Sequence, residues 1–326
     1  MDKPIFILGC TKSGTTLMRN LFDGHPDFFV IPTESHFFQH TRRWVSYYTR
    51  KTKPQDVSID NIKKNMVSWI ELSNSITQKI TDAFTEGKWN IDLFKETIFS
   101  KETNNLRELF DLYIRAIYKS LYGKDLNTQL NFVEKSVENA EFAFELKTMY
   151  PDAKFVHIIR NPYSNIVAFR KYISINRFPY LKGLLFSMYN SYYYLMKNID
   201  FVDNYHVVVY EDLISNPEKT MRDLTDSLNI PFNEKLLFPS LMGENWGGNS
   251  TSNEKFTGVS NKNIDKWKSE ITSFEINLVN SLFKGVLEKF NFDIVNPSKS
   301  IYFPAKKESP YKYLMNRMLW VNFPRF

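Results

Sequence analysis

The chain has one cysteine, Cys10, among 326 residues. No disulfide can close within it, and dependence on an oxidising compartment is not expected. It also lacks an apolar run long enough to cross a bilayer. The N-terminal run, residues 4–10, is too short and is followed by Lys12, not by a small-residue cleavage pattern. There is no internal repeat, low-complexity tract or nucleic-acid-binding motif. These absences predict a soluble, cytoplasmic protein that works with neither membrane nor nucleic acid.

What is present suits a folded core. Apolar residues make up 43% and aromatics 16%, with 28 Phe and 18 Tyr, so global disorder is excluded. A net charge of +6 and a pI near 9.0 permit anionic ligands without requiring them. The most basic stretch, Arg42, Arg43, Arg50, Lys51 and Lys53, reads as a solvated face. The expectation is one domain over residues 1–326, with a helical insertion at 40–128, broken near 52–60 and 100–105, and a tail at 293–326.

Residues 5–8 form a continuous apolar run ended by Gly9, the pattern of a strand buried on both faces of a parallel sheet. Similar runs at 130–134, 155–159 and 207–210 each precede a helical pattern, which predicts an α/β fold. Helices are expected at 14–23 and 273–290. Two more begin where Asn161 and Asn216 offer capping side chains before Pro162 and Pro217. The aromatic-rich stretch 178–194 reads as core or as a pocket wall.

The sharpest local signal is Gly9, Cys10, Thr11, Lys12, Ser13, Gly14, Thr15 and Thr16, where a strand turns into a helix. Such a loop points backbone N–H groups and a positive helix end at a phosphate. An ATPase loop has its lysine directly after the second glycine, whereas Lys12 precedes Gly14 here. The bland alternative is an ordinary turn capped by Ser13 or Thr15. His36 and His40 are spaced as two ligands on one helical face, but no third ligand is evident at useful spacing, and no metal is expected.

Lys‑Ser‑Gly‑Thr‑Thr after a strand resembles the 5′-phosphosulfate loop of sulfotransferases that use 3′-phosphoadenosine 5′-phosphosulfate (PAPS). Other segments extend the resemblance. Residues 154–160, with Arg160 before Asn161 and Pro162, are similar to the family's 3′-phosphate motif. The string Glu34, Ser35, His36, Phe37, Phe38, after His25, Pro26 and Asp27, resembles heparan sulfate glucosamine sulfotransferases. Glu134, Lys135, Ser136, with Lys135 twenty residues before Phe155, and the segment Tyr210, Glu211, Asp212, Leu213 resemble tyrosylprotein sulfotransferases. The family's serine eight residues after the arginine is Ala168 here, with Ser164 one helical turn earlier.

The resemblance implies a P-loop-like sulfotransferase fold: a mainly parallel central sheet, helices on both faces, and residues 40–128 as an acceptor-side cap. It implies PAPS as donor, held by Lys12, Ser13, Gly14, Thr15 and Thr16 at one end and Arg160 with Ser164 at the other, with Tyr210, Ser250, Thr251 and Lys266 around it. Glu34 would be the general base and His36 its support, with Lys12 and Lys135 balancing charge on the sulfate and leaving group. The acceptor would be a glycan or small-molecule hydroxyl or amine. A protein-tyrosine acceptor, a P-loop kinase and a non-catalytic nucleotide binder remain open.

Overall fold

The computed structural model describes residues 1–41, 57–75, 87–173, 181–248 and 258–297. Its organising element is β1 (Ile5–Gly9), in which every residue is buried. Side chains alternate across a strand, so Phe6 and Leu8 enter one apolar layer while Ile5 and Ile7 enter the layer on the opposite face. The expected parallel sheet forms around it. β3 (Asn131–Lys135) and β4 (Lys154–Ile159) flank β1, while β2 (Phe28–Val30) and β5 (Tyr205–Val209) close the edges in the order β2-β3-β1-β4-β5, all parallel. β2 is an addition to the sequence reading, because three residues are too few to show an alternation. β5 begins and ends earlier than expected, so Tyr210 opens a helix and does not close the strand.

The helices in chain order are α1 (Thr15–Phe22), α2 (Phe37–His40), α3 (Ile59–Ser75), α4 (Ile91–Phe99), α5 (Leu106–Tyr122), α6 (Ala143–Met149), α7 (Pro162–Ile173), α8 (Leu181–Phe201), α9 (Tyr210–Ser215), α10 (Pro217–Leu228), α11 (Ser273–Leu282) and α12 (Lys284–Lys289). Met18, Leu21 and Phe22 of α1 join Met221, Leu224 and Leu228 of α10 over Ile5 and Ile7. On the other face, Ile62, Met66 and Ile70 of α3, Phe94 of α4, Phe110 and Ile117 of α5 and Leu146 of α6 pack with Phe6 and Leu8. A third apolar cluster joins Ile159 to α7, α8, α11 and α12. Within 40–128 the described residues form α3, α4 and α5; the chain breaks between α4 and α5 at 100–105, while α3 already begins at Ile59, inside the break expected at 52–60. The basic stretch from Arg42 to Lys53 lies outside the described residues. Among those residues, no helix is long and apolar enough to cross a membrane.

Two local readings are corrected. Asn161 accepts a bond from the Tyr163 N–H at 3.0 Å, as a cap should, but Asn216 makes no side-chain cap and only Pro217 marks that helix start. The expected helix at 273–290 divides at Phe283, whose φ of −119° leaves the helical range. Phe283 is buried in the core, edge-on to Tyr192 at 5.0 Å, and the helix resumes directly after it at Lys284.

Phe6 sits inside a ring cluster with Phe155 at 5.6 Å, Phe132 at 5.8 Å and Tyr150 at 5.9 Å. Phe6→Ala is expected to lower unfolding free energy by about 3–5 kcal/mol in urea denaturation. Leu72→Ala, at an exposed position of α3, should stay within about 0.5 kcal/mol.

Candidate active site

Parallel strands place all their carboxyl ends along one edge. The connections leaving the neighbours β1 and β4 run to opposite sides of the sheet, toward β2 and β5. That reversal opens a crevice at their carboxyl ends, where α/β sheets bind ligands. A cavity of about 380 Å³ occupies it.

One wall is the loop after β1. Lys12 adopts φ +66°, the Ser13 N–H bonds to the Cys10 carbonyl at 3.0 Å, and Gly14 begins α1 at φ +109° without any side-chain cap. Neither Ser13 nor Thr15 therefore plays the capping role that the sequence left open. Gly14 is obligatory on two counts: its φ lies in the left-handed region, and a Cβ there would stand 2.4 Å from Cδ2 of Tyr210. Lys12, Gly14, Thr15 and Thr16 line the cavity, and the Lys12 ammonium lies 4.7 Å from the Tyr172 ring centroid. Ser13 does not line it. Its side chain is fully buried beneath the loop, and the loop's own turn uses its N–H.

Arg160 stands at the end of β4. Its Nη1 donates to the Lys12 carbonyl and its Nε to Ser164 Oγ, both at 3.0 Å, and its guanidinium lies 4.7 Å from the Tyr210 ring centroid. Among the described residues no carboxylate comes within ion-pair distance of it, so the ordinary surface ion pair is absent. The Glu211 carboxylate instead accepts from the Asn161 N–H at 3.1 Å, tying β5's end to α7. Arg160, Ser164, Ala168, Tyr210 and Lys266 all line the cavity. Ser250 and Thr251 lie outside the described residues.

The opposite wall carries the acidic groups. Glu134, fully buried at the end of β3, accepts from Ser35 N–H at 3.2 Å, Ser35 Oγ at 2.7 Å, Ser136 Oγ at 2.6 Å and Asn139 Nδ2 at 2.6 Å. Burial raises its pKa, against the pull of these hydrogen bonds. The network pins Ser35, and with it Glu34 and His36, to the strand that carries Lys135. The buried Lys135 ammonium closes directly on Glu34 Oε1. The helices over this wall hold the segment from outside: Trp69 Nε1 donates to the Glu34 carbonyl at 3.0 Å and Tyr113 Oη to the Ser35 carbonyl at 3.1 Å. Phe37 and Phe38 are packing residues, stacked on Phe110 and Phe142 at 4.2 Å each.

His36, at φ +49°, turns its ring between two carboxylates, with Nε2 3.3 Å from Glu34 Oε2 and Nδ1 3.6 Å from Glu138 Oε2. Burial lowers its proton affinity, but Glu138 and then Glu34 raise it by more, and the net shift is upward. His40 does not share this point. Its Nε2 bonds the Ser35 carbonyl at 3.0 Å, and burial, followed by His36, holds its pKa down to about 3. A third group does join His36, contrary to the sequence reading: Glu34, His36 and Glu138 set one ligand-type atom each within 4.8 Å of one another. The two carboxylates already face Lys135 and the His36 ring. Glu138 and Trp69 went unnoticed in the sequence because neither belongs to a motif, and only the fold brings them here.

A profile described as the sulfotransferase family matches residues 4–234. The chain belongs to the sulfotransferase family. It is 26% identical over 256 residues to the omega-hydroxy-beta-dihydromenaquinone-9 sulfotransferases Stf3 of Mycobacterium bovis and Mycobacterium tuberculosis, a match covering 70% of this chain and 63% of each relative. The match thus spans less than two thirds of those relatives' length. The sulfotransferase domain of the curacin biosynthetic pathway superposes with a TM-score of 0.54 at 18% identity, covering 90% of this chain and 99% of that one. The sulfotransferase domain of the Synechococcus PCC 7002 olefin synthase gives 0.52 at 18%, with 90% and 96% covered. These likenesses establish the expected α/β sulfotransferase fold.

Gly14→Ala is expected to cost about 1–3 kcal/mol in chemical denaturation, from the positive φ and the Tyr210 clash together. In a Tyr210→Ala background the cost should shrink by at least about 0.5 kcal/mol. An unchanged penalty would mean that Tyr210 does not pack on the loop.

Proposed function

We propose that this protein transfers a sulfuryl group from PAPS to a hydroxyl, or an amine, of a small-molecule or glycan acceptor. The observation that carries this reading is that a phosphate-type loop, an arginine with no carboxylate partner among the described residues and a glutamate–lysine pair line the same cavity. The donor has negative charge at two separated ends, and the site matches that distribution. The first turn of α1 and Lys12 would hold the 5′-phosphosulfate, and Arg160 with Ser164 the 3′-phosphate, where a planar guanidinium suits bidentate contact. Ala168 offers no hydroxyl, so Ser164, already hydrogen-bonded to Arg160, takes the second contact. The relatives act, by name, on an omega-hydroxy dihydromenaquinone, which favours a small-molecule alcohol among the acceptors.

Glu34 acts as general base in this mechanism. Lys135, paired with Glu34, turns to the incoming sulfate, and the carboxylate it releases is then able to take the acceptor's proton. The acceptor oxygen attacks sulfur in line, and the electron pair of the breaking S–O bond goes to the 5′-phosphate. Lys12, Lys135 and the loop N–H groups stabilise that charge. The product nucleotide is adenosine 3′,5′-bisphosphate.

Labelled-donor transfer to a mixture of alcohols, phenols, amines and sugars tests the reaction. Glu34→Gln should retain donor binding in a thermal-shift assay and lose about a hundredfold or more in transfer. Transfer within a few-fold of the wild type would remove Glu34 from the role of base. Arg160→Ala should weaken adenosine 3′,5′-bisphosphate by about tenfold or more while leaving adenosine 5′-phosphate nearly unaffected, as loss of a charge-assisted pair requires. Equal losses for both nucleotides would contradict the 3′-phosphate assignment.

A further inference from the structure

We propose that Glu138 is a positioning residue for His36, and that His36 receives the proton which Glu34 removes from the acceptor. The proposal rests on the reading of Glu34 as base. Its geometric basis is the line Glu34, His36, Glu138: Glu34 Oε2 lies 3.3 Å from His36 Nε2, and His36 Nδ1 lies 3.6 Å from Glu138 Oε2. All three residues line the cavity. Glu138 Oε2 is buried and has no hydrogen-bond partner among the described residues. A carboxylate oxygen in that state needs a cation or a donor facing it, and the His36 ring edge is what it faces.

The placement of Glu138 follows from the fold. It stands in the helical turn Val137–Ala140 directly after the strand bearing Lys135, and that turn is held by Asn139 Nδ2 donating to Glu134. His36 is fixed from the same strand end, because its N–H donates to Ser136 Oγ at 3.2 Å. Trp69 meets the imidazole edge-on at 4.6 Å. Gln39 Nε2 lies 2.7 Å from Nδ1, and half a turn of that amide would present its oxygen to Nδ1 when Nδ1 carries a proton. The ring is therefore oriented before any ligand arrives.

The charges facing His36 are Glu34, Glu138 and Lys135, while the nearby His40 is kept neutral by its lowered pKa. Burial opposes protonation, while Glu138 and then Glu34 favour it by more; Lys135 adds a smaller opposition. Reciprocally, burial raises the Glu138 pKa, but His36, then a hydrogen bond from its own backbone N–H, and Lys135 together outweigh burial and hold it below the ordinary carboxylate value.

In the cycle, neutral His36 starts with its proton on Nδ1, toward Glu138. As the acceptor oxygen bonds to sulfur, its proton passes to Glu34. The proton then moves from Glu34 Oε2 to the lone pair on His36 Nε2, and Glu138 balances the imidazolium that results. The imidazolium loses its proton to water as products leave. Glu34, again ionised, recovers its pairing with Lys135. No further reactant is needed.

His36 must be neutral to accept, so activity rises with pH through the His36 titration. Removing the Glu138 charge lowers the proton affinity of His36, which moves the rising limb to lower pH and lowers the plateau rate. The test uses Glu138→Gln, Glu138→Asp and Glu34→Gln in the full chain. The His36 imidazole titration is followed by NMR, with His36→Asn to identify its signal, and transfer from labelled PAPS to the alcohol and phenol mixture is followed against pH.

Glu138→Gln should lower the His36 pKa by about one unit. It should also reduce kcat by about a hundredfold, with KM for donor and acceptor nearly unchanged. Glu138→Asp, which keeps the charge, should recover much of both effects, a rescue that a folding defect would not show. An unmoved His36 titration overturns the pairing, and a moved titration with unchanged turnover overturns the proton transfer. If Glu34→Gln stays active while Glu138→Gln still shifts the His36 titration, the base assignment fails and the pairing stands. If Glu34→Gln is inactive but Glu138→Gln changes neither quantity, the pairing fails alone.

Discussion

A buried lysine closing on a partly exposed glutamate is the contact around which the site is arranged. Lys135 and Glu34 meet because β3 runs parallel to β1 and β2, so the residues that follow β2 arrive beside the end of β3. A buried ammonium demands a counter-charge. The same strand end supplies Glu134, which does not pair with Lys135 but gathers Ser35, Ser136 and Asn139 into one hydrogen-bonded knot. That knot sets Glu34, His36 and Glu138 at fixed separations. The acidic wall is thus one unit built from two distant stretches of chain.

The helices covering the sheet are part of this unit. Trp69 and Tyr113 donate to successive carbonyls, Glu34 and Ser35, and Asn65 Nδ2 donates to the His40 carbonyl at 3.1 Å. Phe37 carries the segment into the core by stacking on Phe110. The position of the candidate base therefore depends on α3 and α5 as much as on β2 and β3. Across the crevice, α7 and the end of β4 do the same for the loop after β1: Asn165 Nδ2 donates to the Thr11 carbonyl at 2.9 Å, and Arg160 holds the Lys12 carbonyl.

Most of the framework was legible because it depends on local pattern. The buried run at 5–8, the loop at 9–16 and the arginine after β4 each carry strong short-range signals, and their chain order implied one family. Where the reading failed, a longer-range force decided. β2 is too short to alternate visibly, and Phe283 leaves its helix with its ring buried edge-on against Tyr192. Tyr210 belongs to α9 because β5 ends with its last pair at Val209. Glu138 and Trp69 have no motif at all, since their importance exists only once β3 and α3 converge on residues 34–36.

The central claim is that one nucleotide, charged at both ends, spans the crevice between the loop after β1 and the end of β4. The most direct measurement is a crystal structure of the protein with adenosine 3′,5′-bisphosphate bound. The account predicts the 5′-phosphate against the backbone of residues 12–16 and the 3′-phosphate against Arg160 and Ser164, with Glu34 and Lys135 facing the vacant sulfate position. Density for the nucleotide elsewhere, or with neither phosphate at these two elements, would contradict it.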